Sequence, residues 1–111
     1  MKATIYHNPR CSKSRAALAL LTEAGADVTI VEYLRNPPTI ETLTSLFARA
    51  NIRPRDALRT TETEAKPLAG ADDATILAAM AAHPILIERP IVVTDRGVVI
   101  ARPPERVRDI L

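Results

Sequence analysis

The sequence predicts an α/β fold: one four-stranded mixed sheet with helices on its faces and a helical section inserted between its two halves. Three observations lead there. The chain opens with a strand–helix–strand pattern, and it closes with two short β-rich runs around Arg96-Gly97. The long stretch between them carries only helical periodicity. At 111 residues the chain fits a single small domain that can bury a core without disulfide staples.

The elements follow in order. Ala3–Tyr6 is β-branched and aromatic, and reads as the first strand. Ser14 to Ala24 reads as a helix, with Leu18 and Leu21 joined by Ala17 and Ala24 in an apolar stripe and Gly25 as its stop. Val28–Glu32 is the second strand, and Asn36-Pro37-Pro38 turns the chain. Thr39 is a good N-cap for a helix that points Ile40, Leu43, Leu46, Phe47 and Ala50 inward. Pro54 opens a short helix through Leu58, and Arg59 to Lys66 reads as an exposed loop or a short helical excursion. Asp72 or Asp73 caps the next helix, whose inward residues are Ile76, Leu77, Met80 and Ala81 and which ends before His83-Pro84. Ile91–Thr94 and Val98–Ala101 form an antiparallel pair across Arg96-Gly97. Pro103-Pro104 opens a last short helix, Glu105 to Leu111, with Val107, Ile110 and Leu111 on its apolar side. Four strands, a pair at each end of the chain, then make one mixed sheet. This is the layout of a thioredoxin-like, glutaredoxin-like fold with an inserted helical section.

Composition narrows the function classes. The net charge is +2, with acidic and basic residues interspersed, so no basic tail or stripe argues for nucleic acid. One cysteine cannot make an internal disulfide, which suits a reducing cytosol. The N-terminus enters a strand without a basic-plus-apolar signal pattern, and runs such as Ala16 to Leu21 are too short to span a bilayer. A cytoplasmic protein without a membrane partner is expected. Two histidines and one cysteine have no spacing such as CxxC or HxxxH, so no metal site is expected.

That cysteine carries most of the functional information. Cys11 lies in Tyr6-His7-Asn8-Pro9-Arg10-Cys11-Ser12-Lys13-Ser14-Arg15, on the turn from first strand to first helix. The helix's unpaired amides and its positive dipole end lie beside it. Arg10, Lys13, Arg15 and His7 are the nearby sources of positive charge. Both effects favour thiolate over thiol and make a cysteine reactive near neutral pH.

Taken together, these segments resemble the glutaredoxin-linked arsenate reductases and their shorter relatives. The matching parts are Ile5-Tyr6-His7-Asn8-Pro9-Arg10-Cys11 with Ser14-Arg15, and Tyr33-Leu34 followed by Pro37-Pro38. Further along come Leu58-Arg59, His83-Pro84-Ile85-Leu86-Ile87, Glu88-Arg89-Pro90-Ile91-Val92-Val93, and Ala101-Arg102-Pro103. The resemblance implies a nucleophilic Cys11 and an oxyanion held by Arg59, Arg89 and Arg102, with His7, Ser14 and Arg15 in support. It implies arsenate or a similar oxyanion as substrate, no bound cofactor, and glutathione with glutaredoxin as the source of electrons. It also implies a cis peptide bond at Arg89–Pro90, ahead of the third strand. Two features point to the shorter branch: Leu111 follows closely on Arg102-Pro103, and Ser12-Lys13 replaces the small pair that usually follows the cysteine.

The chemistry explains why these residue types belong together. Thiolate and arsenate are both anions, and they repel in a partly desolvated pocket unless fixed positive charge surrounds them. Arginine stays protonated and donates several hydrogen bonds from a planar fork. Two other functions share the fold. A redox-responsive regulator that binds RNA polymerase commonly uses a Cys-x-x-Cys switch at this turn, but Ser14 stands at the second position. A reductase-related protein acting on another oxyanion or a thiol is the remaining alternative.

Overall fold

The two ends of the chain meet in one sheet. In the computed structural model, which describes residues 1–111, the strands are β1 (Lys2–Tyr6), β2 (Asp27–Val31), β3 (Ile91–Thr94) and β4 (Gly97–Ile100). Their order across the sheet is β2-β1-β3-β4. β1 and β2 run parallel, with Tyr6 beside Val31, while β3 runs antiparallel to β1 and places Ile91 beside Tyr6. β4 runs antiparallel to β3, so Ile100 also lies beside Ile91. The mixed sheet expected from the strand pattern therefore forms. One consequence matters for function: the end of β1, the start of β3 and the end of β4 share one edge of the sheet.

Met1–Tyr33 with Arg89–Leu111 makes one compact unit, and Leu34–Glu88 makes another. In the first, α1 (Ser12–Glu23) covers the sheet. Side chains alternate across β1, so Ala3 and Ile5 face inward and meet Ala17, Leu21, Val92, Val99, Val107 and Ile110 in the core. Gly25, at φ +79°, ends α1 with the 26→21 and 25→22 amide bonds of a Schellman motif. The short helix expected at the end of the chain forms as a 3-10 helix, Pro104–Ile110, that packs on α1 and β4. Buried Thr94 donates its hydroxyl to the Ile110 carbonyl at 2.5 Å and fastens this turn to the sheet.

In the second unit, α2 (Ile40–Ala50) and α3 (Asp73–Ala82) pack together. Thr39 caps α2 by accepting from the Thr42 amide at 3.1 Å, and Asp72 caps α3 by accepting from the Thr75 amide at 2.9 Å. Leu43, Leu46, Phe47, Ile76 and Met80 are buried. Ile40 is exposed because it begins its helix, and Leu77 and Ala81 are only half-buried. Of the two forms expected, the polar stretch after Leu58 makes the short helical excursion, a 3-10 helix at Thr63–Leu68. Arg55 holds its far end, donating from Nη2 to the carbonyls of Ala71 at 2.6 Å and Leu68 at 3.2 Å.

Several boundaries move by one or two residues for identifiable reasons. The Asp27 amide donates to the Met1 carbonyl, so the β1–β2 ladder begins earlier than the apolar pattern suggests. The Arg15 amide donates to the Cys11 carbonyl, so α1 starts at Ser12 and Cys11 itself is the N-cap. Ala24 is exposed, not part of the apolar stripe, because it lies beyond the last helical residue. No helix is long and apolar enough to cross a membrane.

Leu21 is fully buried in the core beneath α1. Leu21→Ala should destabilise the protein by about 2–5 kcal/mol in urea unfolding, the scale of a buried leucine truncation. A loss below about 1 kcal/mol would mean that this helix does not cover the core as described.

Candidate active site

The loop between β1 and α1 is built by short-range hydrogen bonds. The Asn8 side-chain Oδ1 accepts from the Arg10 amide at 3.0 Å, and the Asn8 carbonyl accepts from the Cys11 amide at 3.0 Å. Such self-bonding is why asparagine before proline favours a turn. The Arg15 Nη1 donates to the Pro9 carbonyl at 2.9 Å and braces the turn from the helix side. Cys11 is left at the N-cap with extended backbone, φ −93° and ψ 121°. It is half-buried and free.

Burial of Cys11 pushes the thiol's pKa up, but the opposing effects prevail and hold it below the ordinary cysteine value. In decreasing order these are the Ser14 amide, the Arg89 charge, the Lys13 amide and the Arg102 charge. The thiol forms no full capping hydrogen bond of its own. The amides act instead as dipoles directed at the sulfur from the first turn of the helix.

The source of charge differs from the sequence expectation. Arg10, Lys13, Arg15 and His7 were the sequence neighbours expected to supply it, but the guanidinium groups that act on the thiol are Arg89 and Arg102. They come from the start of β3 and the end of β4, at the sheet edge where β1 ends. Lys13 contributes its amide, Arg10 is exposed, and Arg15 bears on His7. The reason is topological: Arg10 and Lys13 are exposed, Arg15 is bonded back to the Pro9 carbonyl and His7 to Ser14, whereas the sheet register brings Arg89 and Arg102 to the thiol.

Arg89 and Arg102 are both half-buried, and each is followed by a cis peptide bond to proline. The bond at Arg89–Pro90 matches the expectation, and the one at Arg102–Pro103 had no signal beyond the Arg-Pro pair. The Arg102 Nη1 donates to the Arg89 carbonyl at 3.2 Å. The Arg89 Nε is buried and makes no hydrogen bond within the protein. A buried donor left in that state is costly unless an acceptor arrives.

Behind the thiol lies a buried polar pair. His7 Nδ1 is 2.6 Å from the Ser14 Oγ, and the same oxygen accepts from the Asn8 amide at 3.1 Å. Ser14 is fully buried and His7 nearly so. Burial lowers the pKa of His7 below the ordinary histidine value; Glu32 opposes this shift and Arg15 adds to it. Ser14 thus ties the loop to the helix through its hydroxyl while its amide faces Sγ.

Arg59 belongs to the other unit. Its amide donates to the Leu86 carbonyl at 2.8 Å beside the Leu58–Ile87 bridge, and its Nη1 lies 3.9 Å from a Glu62 carboxylate oxygen. No cluster of His, Cys, Asp and Glu side chains has the makings of a metal site.

Comparison with known proteins agrees with this architecture. The model of the ArsC family matches residues 6–110. An arsenate reductase of Rhizobium meliloti is 45% identical over 115 residues, covering 100% of this chain and 82% of that protein. One from Neisseria meningitidis is 39% identical over 112 residues, covering 96% of each. Among solved structures, an arsenate reductase from Vibrio cholerae superposes with a TM-score of 0.94 at 42% identity, covering 100% of this chain and 98% of that one.

The His7 shift carries a prediction. The folded chain holds His7 below the ordinary histidine pKa, so the unfolded state takes up a proton that the folded state refuses. Its contribution to stability should be complete above the ordinary histidine range and should fall as pH drops below it. Urea midpoints measured across this range should show the decline, and His7→Gln should flatten it. An unchanged slope in His7→Gln would show that another group is responsible.

Proposed function

The chain belongs to the ArsC family, and from that premise we propose that it is an arsenate reductase, acting through a covalent adduct on Cys11. The observation that carries this reading is a cysteine with a depressed pKa at a helix N-cap, under the charge of two arginines. The depressed pKa raises the share of thiolate, the form of cysteine that acts as a nucleophile. The buried Arg89 Nε, without a partner in the protein, supports an anion as the incoming ligand.

The reaction runs in two stages. The Cys11 thiolate attacks arsenic and forms an S–As bond; one arsenate oxygen leaves and, with protons from solvent, departs as water. Arg89 and Arg102 offset the charge of the approaching oxyanion, and the Ser14 and Lys13 amides stabilise the sulfur before attack. Arg59 is the third oxyanion ligand by its match to the family pattern at Leu58-Arg59. A glutathione thiolate then attacks the Cys11 sulfur. The S–As bond breaks, its electron pair goes to arsenic, and arsenite leaves as Cys11 becomes a mixed disulfide with glutathione. Glutaredoxin resolves that disulfide and restores the thiol. An internal disulfide is excluded because the chain has one cysteine. A route that consumes glutathione and glutaredoxin belongs in the reducing cytoplasm.

The test is arsenate-dependent NADPH oxidation with glutathione, glutaredoxin and glutathione reductase supplied. The intact protein should turn over, and Cys11→Ser should not, because a hydroxyl is a far weaker nucleophile. Arg89→Ala should weaken oxyanion binding by roughly 1.5–3 kcal/mol, the scale of a hydrogen bond to a charged group. Full activity in Cys11→Ser would overturn the mechanism, and inactivity of the intact protein toward arsenate would overturn the substrate.

A further inference from the structure

We propose that Arg102 is a positioning residue for Arg89: its side chain fastens the backbone that carries Arg89, so the two arginines bind an oxyanion as one unit rather than as independent contacts. The inference rests on the reading that Arg89 receives the oxyanion.

The argument starts from the end of the β3–β4 ladder. The last strand pair is Ile91 with Ile100. One further backbone bond extends it, from the Ala101 amide to the Pro90 carbonyl at 2.9 Å. Beyond that point the ladder has lost its donors, because Pro90 and Pro103 have no N–H to give. The Arg102 amide turns back onto the Ile100 carbonyl at 2.9 Å, so it does not reach across. The side chain does. The Arg102 Nη1 takes the Arg89 carbonyl at 3.2 Å, immediately after the carbonyl held by Ala101.

Consecutive carbonyls, Arg89 and Pro90, are therefore held by consecutive residues, Arg102 and Ala101. A guanidinium suits this task because it is a rigid planar fork with five donors. One N–H can hold backbone while the others, and the charge, remain directed elsewhere. The Arg89 side chain leaves from the peptide that Arg102 holds, and its Nε is buried without a protein partner. Its direction is fixed less by its own hydrogen bonds than by the backbone from which it projects. Removing Arg102 then loosens Arg89 even though Arg89 itself is intact.

A double-mutant cycle tests this with the Cys11→Ser protein, which should bind arsenate without forming an adduct because a hydroxyl is a far weaker nucleophile. Arsenate affinity is measured by calorimetry for this parent, for Arg89→Ala, for Arg102→Ala and for both together. Each single change should weaken binding about tenfold or more, and the pair should weaken it by clearly less than the product of the two single losses, the signature of coupled residues. Arg102→Met, which keeps the aliphatic length but no donor, should behave like Arg102→Ala. The Arg89 Nε–H resonance should exchange faster with solvent in both Arg102 variants than in the parent. Losses that multiply across the cycle would overturn the coupling while leaving the oxyanion reading intact. Failure of the Cys11→Ser parent to bind arsenate at all would overturn that reading, and the inference with it.

Discussion

Repulsion between a thiolate and an oxyanion is the constraint on which the arrangement at the sheet edge depends. Two like charges a few ångströms apart, partly shielded from water, repel by several kcal/mol or more at an effective dielectric of about 20. Arg89, Arg102 and the Ser14 and Lys13 amides answer that repulsion with fixed positive potential. Because these groups are already in place, little reorganisation is required when the anion arrives.

The sheet is what fixes them. Strand β1 delivers Cys11 just beyond its end, and the antiparallel register of β1 with β3 brings Arg89 to that edge. The β3–β4 hairpin returns Arg102 to the same place. The core beneath, with Ile5, Leu21, Val92 and Val99 buried, holds this register, since a slip of one residue would turn the inward side chains of a strand outward. The Pro104–Ile110 turn packs on α1 and β4 and joins the helix that carries Cys11 to the strand that leads to Arg102. His7 and Ser14 secure the loop from behind, where a buried hydroxyl accepts a backbone amide and meets an imidazole. Stability and reactivity thus share the same contacts.

What was legible in the sequence were the local signals. The turn at Asn8-Pro9, the caps at Thr39 and Asp72, the stop at Gly25 and the four strands each rest on residues within a few positions of one another, and each is where the pattern puts it. Cys11 at the strand–helix junction was readable for the same reason. The partners of its charge were not. Arg10, Lys13 and Arg15 are near in sequence but exposed, and Arg15 is bonded to the Pro9 carbonyl, whereas Arg89 and Arg102 arrive through strand register, a long-range property invisible to a local reading. The family resemblance supplied those two arginines where composition and periodicity could not. The hydrogen bond from Arg102 to the Arg89 carbonyl had no sequence signal, because it depends on two prolines ending one ladder on opposite strands. The final segment is helical where the pattern puts it; that it winds as 3-10 and not α was not readable, because the two share an apolar spacing over so short a stretch.

The most direct test of this account is the pKa of Cys11, followed by ultraviolet thiolate absorbance in the unmodified protein and in Arg89→Ala and Arg102→Ala. The account predicts a midpoint below the ordinary cysteine value in the intact chain, and an upward displacement in each arginine variant as burial regains its influence. A midpoint at or above the ordinary value in the intact protein, or one that neither arginine variant moves, would contradict it.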